Sequence, residues 1–127
     1  MPADEDKRKA RLLTDLAALA SERFQEKYVV GGTVETYALP DEILESALSS
    51  ARAAGERSAA SGFSSAEIIA IRTFVAAVSG VDFDDTAAPN REFLQSENWN
   101  VARSAARRLL DQLGFSLQGW EMREGLK

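Results

Sequence analysis

Apolar side chains return every three or four residues in four stretches of this chain, which is the spacing of one face of an α-helix. Polar and charged residues fill the positions between them, so each predicted helix has one face for a core and one for solvent. The pattern predicts helices over 4–27, 41–59, 64–79 and 90–113.

The third predicted helix carries the clearest signal for where a helix begins. Ser64 is followed three residues later by Glu67, the pattern of a capping box, in which each side chain binds the other residue's backbone N–H. Phe63 before the cap and Ile68 after it form the hydrophobic pair that often accompanies this box. Ile69 lies about 100° round the helix from Ile68, so it is either a surface residue or part of a second contact.

The fourth helix is predicted to begin at Asn90, as its cap, and to end before Gly114. Trp99 is expected at the edge of the core rather than as a platform for stacking bases. The predicted apolar face comprises Leu94, Val101, Ala102, Ala105, Ala106, Leu109, Leu110 and Leu113.

Two segments break the helical spacing. Gly31 and Gly32 separate two short runs of β-branched and aromatic residues, so 28–39 is either a small β-hairpin or an ordered loop. The tail, 115–127, contains Trp120 and is expected to fold back as a short strand or turn.

These patterns predict the all-α class: a compact bundle of four to five helices in a single domain, 1–127, with a possible short β-hairpin at 28–39. Composition agrees with that class, since 45% of the residues are hydrophobic and 28% are charged. Alanine occupies 21 of the 127 positions, which favours helices and lets them approach closely.

The chain contains no cysteine and no histidine, which removes disulfides, thiolate and imidazole metal ligands and the commonest enzymatic bases. Carboxylates such as Glu42 and Glu45 are expected on a solvated helix face, where nothing raises their pKa for acid catalysis. The lysines are expected near the ends of the first helix or in the tail, remote from any serine they might activate. These lysines are Lys7, Lys9, Lys27 and Lys127. We therefore expect neither enzyme activity nor a cofactor.

Two short motifs fail the spacing tests for ligand sites. A calcium loop beginning at Asp82 needs glycine at its sixth position and glutamate at its twelfth, where this chain has Ala87 and Phe93. The segment 82–85 is therefore expected to be a solvated acidic loop, with no metal. Gly31-Gly32 lacks the residues that complete a phosphate-binding or dinucleotide-binding loop.

The charged residues 2–11 are not followed by the apolar run of a secretory signal, and no stretch approaches the length of a membrane span. We expect a cytoplasmic protein.

The main charge feature lies on the fourth predicted helix, where three arginines and no acidic residue occur between positions 98 and 110. Arg103, Arg107 and Arg108 are expected on the face opposite the leucines, where such a row binds a phosphate backbone without reading bases. The alternative is that Arg107 pairs with Asp111 one turn further on and that the other two arginines are solvated.

Two local patterns resemble the small helical subunits of multisubunit CRISPR effector complexes. One is an alanine-rich helix and a short turn before Phe-Ser-Ser-Ala-Glu-Ile at 63–68, and the other is Ala-Arg-Ser-Ala-Ala-Arg-Arg at 102–108. The resemblance covers about residues 41–113. It implies a non-catalytic subunit of an RNA-guided antiviral complex, in which base pairing supplies the specificity.

The resemblance also implies partners and contact residues. The partners would be other protein subunits, copies of this chain, and RNA or single-stranded DNA. The residues that would contact nucleic acid are Arg103, Arg107 and Arg108, with Arg72 and Arg52 secondary.

Two other functions stay open. The net charge of −5, the small residues on the helix faces and Ile69 favour a protein–protein adaptor or self-assembling scaffold that binds no nucleic acid. The spacing of the second and third helices also fits a helix-turn-helix, although Arg72 is the only cation in its second helix. No membrane partner and no small-molecule substrate are expected.

Overall fold

A computed structural model describes residues 2–27, 40–56, 63–81 and 95–126. Within those ranges the chain forms helices and no strand, which confirms the all-α class. Four of the helices are long and two are short. The expectations for 28–39 and for the acidic loop 82–85 fall outside the described ranges. The helices are α1 (Pro2–Ala20), α2 (Glu22–Gln25), α3 (Pro40–Glu56), α4 (Ser65–Ser79), α5 (Glu97–Gln112) and α6 (Leu117–Arg123).

The four long helices form a ring around one core. α1 and α4 each pack against both α3 and α5. Alanines with no exposed surface lie in α1, α3 and α5, and their small size lets the helices approach closely. The larger core side chains come from every long helix and include Leu12, Leu16, Leu19, Ile43, Ile71, Phe74, Trp99, Leu109 and Leu110.

The predicted first helix is broken at Ser21, so the single helix expected over 4–27 is wrong. Ser21 has an extended backbone, with φ −92° and ψ 110°, and its side chain accepts a hydrogen bond from the Phe24 N–H as the cap of α2. The Ser21 hydroxyl also donates to Glu121 Oε2 at 2.6 Å. Serine competes with the helix by bonding to nearby backbone, and apolar spacing carries no signal of that competition.

Within the described range the second helix covers Pro40–Glu56, in agreement with the prediction over those residues, and the predicted positions 57–59 lie outside the described residues. The capping box of the third is confirmed. The Glu67 N–H donates to Ser64 Oγ at 3.1 Å, and the Ser64 N–H donates to Glu67 Oε1 at 2.8 Å. Ile68 is buried and Phe63 packs partly against the core.

The fourth predicted helix begins later than expected. Ser96 is extended, with φ −66° and ψ 152°, and caps α5 by accepting a hydrogen bond from the Trp99 N–H at 3.2 Å. A continuous helix from 90 is therefore wrong, while Asn90 itself and Leu94 lie outside the described residues.

The predicted end of that helix is confirmed. Gly114 has φ +73°, a conformation that favours glycine. The Phe115 N–H bonds to the Leu110 carbonyl at 2.9 Å and the Gly114 N–H to the Asp111 carbonyl at 3.1 Å. These two bonds satisfy carbonyls that the end of the helix would otherwise leave unpaired.

The tail forms a helix rather than the expected strand or turn. Ser116 caps α6 by accepting from the Gly119 N–H at 3.0 Å. Trp120 is buried, and its ring lies 5.8 Å from that of Phe24, centroid to centroid. The tail therefore covers the junction between α1 and α2, where Ser21 bonds to Glu121.

Candidate nucleic-acid interface

Arg103 lies on the inner face of α5, and not opposite the leucines as the sequence predicted. It falls four residues after Trp99 and three before Ala106, and both of those residues are fully buried. Only 8% of Arg103 is exposed. The prediction is wrong because a position beside the apolar face becomes interior when other elements, here α1 and α2, pack over the edge of the helix. Trp99 likewise lies in the core rather than at its edge, and Val101 is exposed.

Gln25 joins Arg103 to the end of α1. Its side-chain oxygen accepts from Trp99 Nε1 at 3.1 Å and from Arg103 Nη2 at 2.9 Å. Its side-chain nitrogen donates to the carbonyls of Ala18 at 3.0 Å and Leu19 at 2.7 Å. The buried amide thus uses both donors and accepts two hydrogen bonds, which is its full capacity.

Arg103 makes two further contacts inside the protein. Its Nη1 donates to Asn100 Oδ1 at 2.9 Å and lies 3.5 Å from Glu22 Oε1. Burial lowers the pKa of the Arg103 guanidinium, and the neighbouring charge of Arg107 acts in the same direction, whereas Glu22 opposes both. Arginine stays protonated at neutral pH even so, and the carboxylate of Glu22 balances its charge.

Arg107 continues the same cluster. Its Nε donates to the Ala20 carbonyl at 3.0 Å, and its Nη2 donates to Glu22 Oε1 at 3.2 Å. Its ionic partner is therefore Glu22 on α2, rather than Asp111 one turn along α5. Together Gln25 and Arg107 bind the last three carbonyls of α1, which a helix leaves without internal partners.

Arg72 and Arg52 stabilise a different part of the fold. Arg72 donates twice to the Gly55 carbonyl, from Nε at 3.1 Å and from Nη2 at 2.8 Å, and so binds the last described turn of α3 from α4. Arg52 Nη2 donates to Ser79 Oγ at 3.1 Å. Both side chains therefore tie α3 to α4, and neither joins the cluster on α5.

Arg108 is exposed on α5 and makes no hydrogen bond or ion pair with the residues that the structure describes. The five arginines predicted to contact nucleic acid therefore do not form one surface. Three lie on α5 and two lie between α3 and α4. Arg103 and Arg107 bind the end of α1, Arg52 and Arg72 join α3 to α4, and Arg108 alone projects freely within the described part of the chain.

Sequence reasoning missed Gln25 and Glu22, the two residues that organise the arginines of α5. Both belong to the continuous first helix that the sequence predicted over 4–27. The break at Ser21 changes the direction in which every later side chain points, so periodicity alone held no signal for this cluster.

No protein-family model, curated protein or solved structure matches this chain. Within the described ranges, no three carboxylates lie close enough together to hold a metal ion. None of the helices in those ranges has both the length and the apolar character needed to cross a bilayer.

Proposed function

We propose that this chain is a non-catalytic helical subunit that acts by contacting other protein chains, including copies of itself, through the outward face of α4. The observation that carries the proposal is that this face is exposed but uncharged. Ala66, Ile69, Thr73 and Ala76 lie along it at spacings of three and four residues, and Ile69 is 65% exposed. That spacing is the one with which one helix meets another.

The charges of α4 support the same proposal. Charged residues make up 28% of the chain, yet α4 has only Glu67 and Arg72. Glu67 is held in the capping box and Arg72 is bound to the Gly55 carbonyl. An incoming helix would therefore not have to desolvate an unpaired charge, which is the main cost of burying a polar surface.

Sedimentation velocity over a range of protein concentrations tests this proposal. We expect the unaltered chain to self-associate and Ile69→Asp to stay monomeric, because the new carboxylate would be buried in the contact. Met122→Asp is the matched control, since Met122 is 70% exposed but lies on α6. A monomer at every concentration, or equal behaviour of the two variants, would contradict the proposal.

A second candidate function is the small subunit of an RNA-guided complex, with other protein subunits and RNA or single-stranded DNA as partners. The observation that favours it is the outer edge of α5. The Arg107 side chain is still 46% exposed there, and Arg108 beside it is exposed. Exposed guanidinium groups at two consecutive positions suit contact with backbone phosphates, which is electrostatic and independent of sequence.

Charge reversal at Arg108 tests the second candidate without disturbing the internal clusters. Arg108→Glu should weaken association with single-stranded RNA or DNA and reduce its salt dependence by about one phosphate contact. Arg123→Glu, on the exposed side of α6, is the control. The assay should use the assembly purified from its native host, where RNA of uniform length beside repeated protein subunits is the expected composition. If Arg108→Glu and Arg123→Glu weakened nucleic-acid association equally, the outer edge of α5 would not be the contact surface.

A further inference from the structure

An open groove of about 510 Å³ lies between α1 and α3, remote from the arginine cluster of α5. Arg8 and Arg11 line it from α1, Ser46 and Ser49 line it from α3, and Phe63 lies against it beyond α3. Its volume is within the range of about 300 to 1,000 Å³ that is usual for pockets that bind small organic molecules.

The described side chains around the groove carry a charge opposite in sign to that of the whole chain. Arg8 is exposed, and the Arg11 side chain is 80% exposed, with only its Nε near a carboxylate, Asp15, at 3.9 Å. Lys9 adds a third cation, with its Nζ 5.1 Å from the centre of the Phe63 ring. Among the side chains that the structure describes, Glu45 in the lining and Asp15 beside Arg11 are the acids near these three cations, so the five charges sum to +1 in a chain of net charge −5.

The other lining groups are of two kinds. Ser46 and Ser49 are exposed, whereas Ser50 donates to Asp15 Oδ2 at 2.5 Å and holds that carboxylate beside α3. Apolar surface comes from Ala53, Ala54 and Phe63. The groove therefore offers guanidinium and hydroxyl donors next to an apolar surface.

We infer that this groove binds a small organic anion with one carboxylate and an apolar body. The carboxylate would accept hydrogen bonds from Arg8 and Arg11, for which the guanidinium fork is suited. The apolar body would cover Ala53 and Phe63. A phosphate monoester fits less well, because it carries a charge of about −1.5 to −2 and Glu45 and Asp15 would oppose the additional charge.

Titration of the isotopically labelled full chain with octanoate, followed by amide NMR shifts, tests this inference. We expect shifts concentrated at Ser46, Ser49 and Phe63. Octylammonium, which has the same alkyl chain and the opposite charge, should not reproduce them. Shifts spread over the whole surface, or equal shifts with both compounds, would overturn the inference.

Two variants separate the contribution of charge from that of shape. The double change Arg8→Gln with Arg11→Gln should weaken octanoate binding about tenfold, since exposed charge contacts are individually modest. Ser49→Leu should also weaken binding, because it fills the groove without changing its charge. Arg123→Gln should leave binding unchanged, and urea unfolding of each variant checks that the fold is retained.

Octyl phosphate provides the last comparison. Tighter binding of octyl phosphate than of octanoate would overturn the assignment to a carboxylate. Unchanged octanoate binding in the double arginine variant or in Ser49→Leu would overturn the groove as its site. Neither result depends on Ile69, so the inference can fail or hold separately from the proposed contact through α4.

Discussion

At the scale of single residues, the polar interior is organised by one glutamine. Gln25 is 1% exposed, and it joins Trp99 and Arg103 on α5 to two carbonyls of α1. A buried polar group is costly unless every hydrogen-bonding position is used, and Gln25 meets that condition. The same arrangement explains how a charged arginine can lie inside the bundle.

Replacing Gln25 by leucine should lower the free energy of unfolding by about 3 kcal/mol, because it removes the hydrogen-bond partner of several enclosed polar groups at once. Urea unfolding measures the change. Gln112→Leu is the matched control, since Gln112 is exposed on α5 and its replacement should change stability by less than about 0.5 kcal/mol. If the two variants lost the same free energy of unfolding, the hydrogen bonds of the buried Gln25 amide would not stabilise the fold as proposed.

Arg107 and Arg108 are neighbours in sequence but differ in what they bind. Arg107→Ala should cost about 1 kcal/mol, because it frees the Ala20 carbonyl and removes a partner of Glu22. Arg108→Ala should be close to neutral, since Arg108 has no bonded partner among the described residues. Thermal unfolding of both variants measures the difference. If both arginines were simply exposed to solvent, the two variants would lose the same stability.

At the scale of helices, serine caps set where most elements begin. Each capping serine accepts a hydrogen bond from the backbone N–H three residues further along. Such caps contribute about 1 kcal/mol each, and they divide the chain at points that apolar spacing does not reveal. The capping residues are Ser21, Ser64, Ser96 and Ser116.

The helix ends are equally specific in their use of glycine. Gly114→Ala should destabilise the fold by about 1 to 2 kcal/mol, because alanine is strained at a φ of +73°. Gly80→Ala should have little effect, because Gly80 has φ −82° and an added Cβ would lie 3.5 Å from the Ala76 carbonyl oxygen. Unfolding in urea compares the two, and an equal loss at both positions would contradict this account.

At the scale of the whole molecule, the two tryptophans report on different parts of the bundle. Trp99 lies in the core under α5, while Trp120 anchors the terminal helix α6 beside Phe24. α6 has only seven residues and packs mainly against α1. Whether α6 unfolds together with the ring of four helices is therefore a test of the predicted single domain.

We expect one cooperative transition. In Trp99→Phe, the remaining fluorescence comes from Trp120, and in Trp120→Phe it comes from Trp99. For each variant, the urea midpoint from fluorescence should coincide with the midpoint from far-UV circular dichroism, as for a two-state domain. An earlier fluorescence midpoint in Trp99→Phe alone would mean that α6 detaches before the bundle unfolds.

Local rules determined much of this protein from sequence alone. Apolar spacing placed four long helices, and the chemistry of Ser64, Glu67 and Gly114 defined two of their ends, because those signals act over a few residues. The tertiary structure decided the rest. It placed Arg103 inside, ended α1 before Ser21 and made the tail a helix. Each of these outcomes depends on contacts between residues far apart in the sequence. Arg103 bonds to Gln25, and Ser21 bonds to Glu121 in the tail. The candidate site followed the same division: its arginines were visible in the sequence, but their partners were brought to them only by packing.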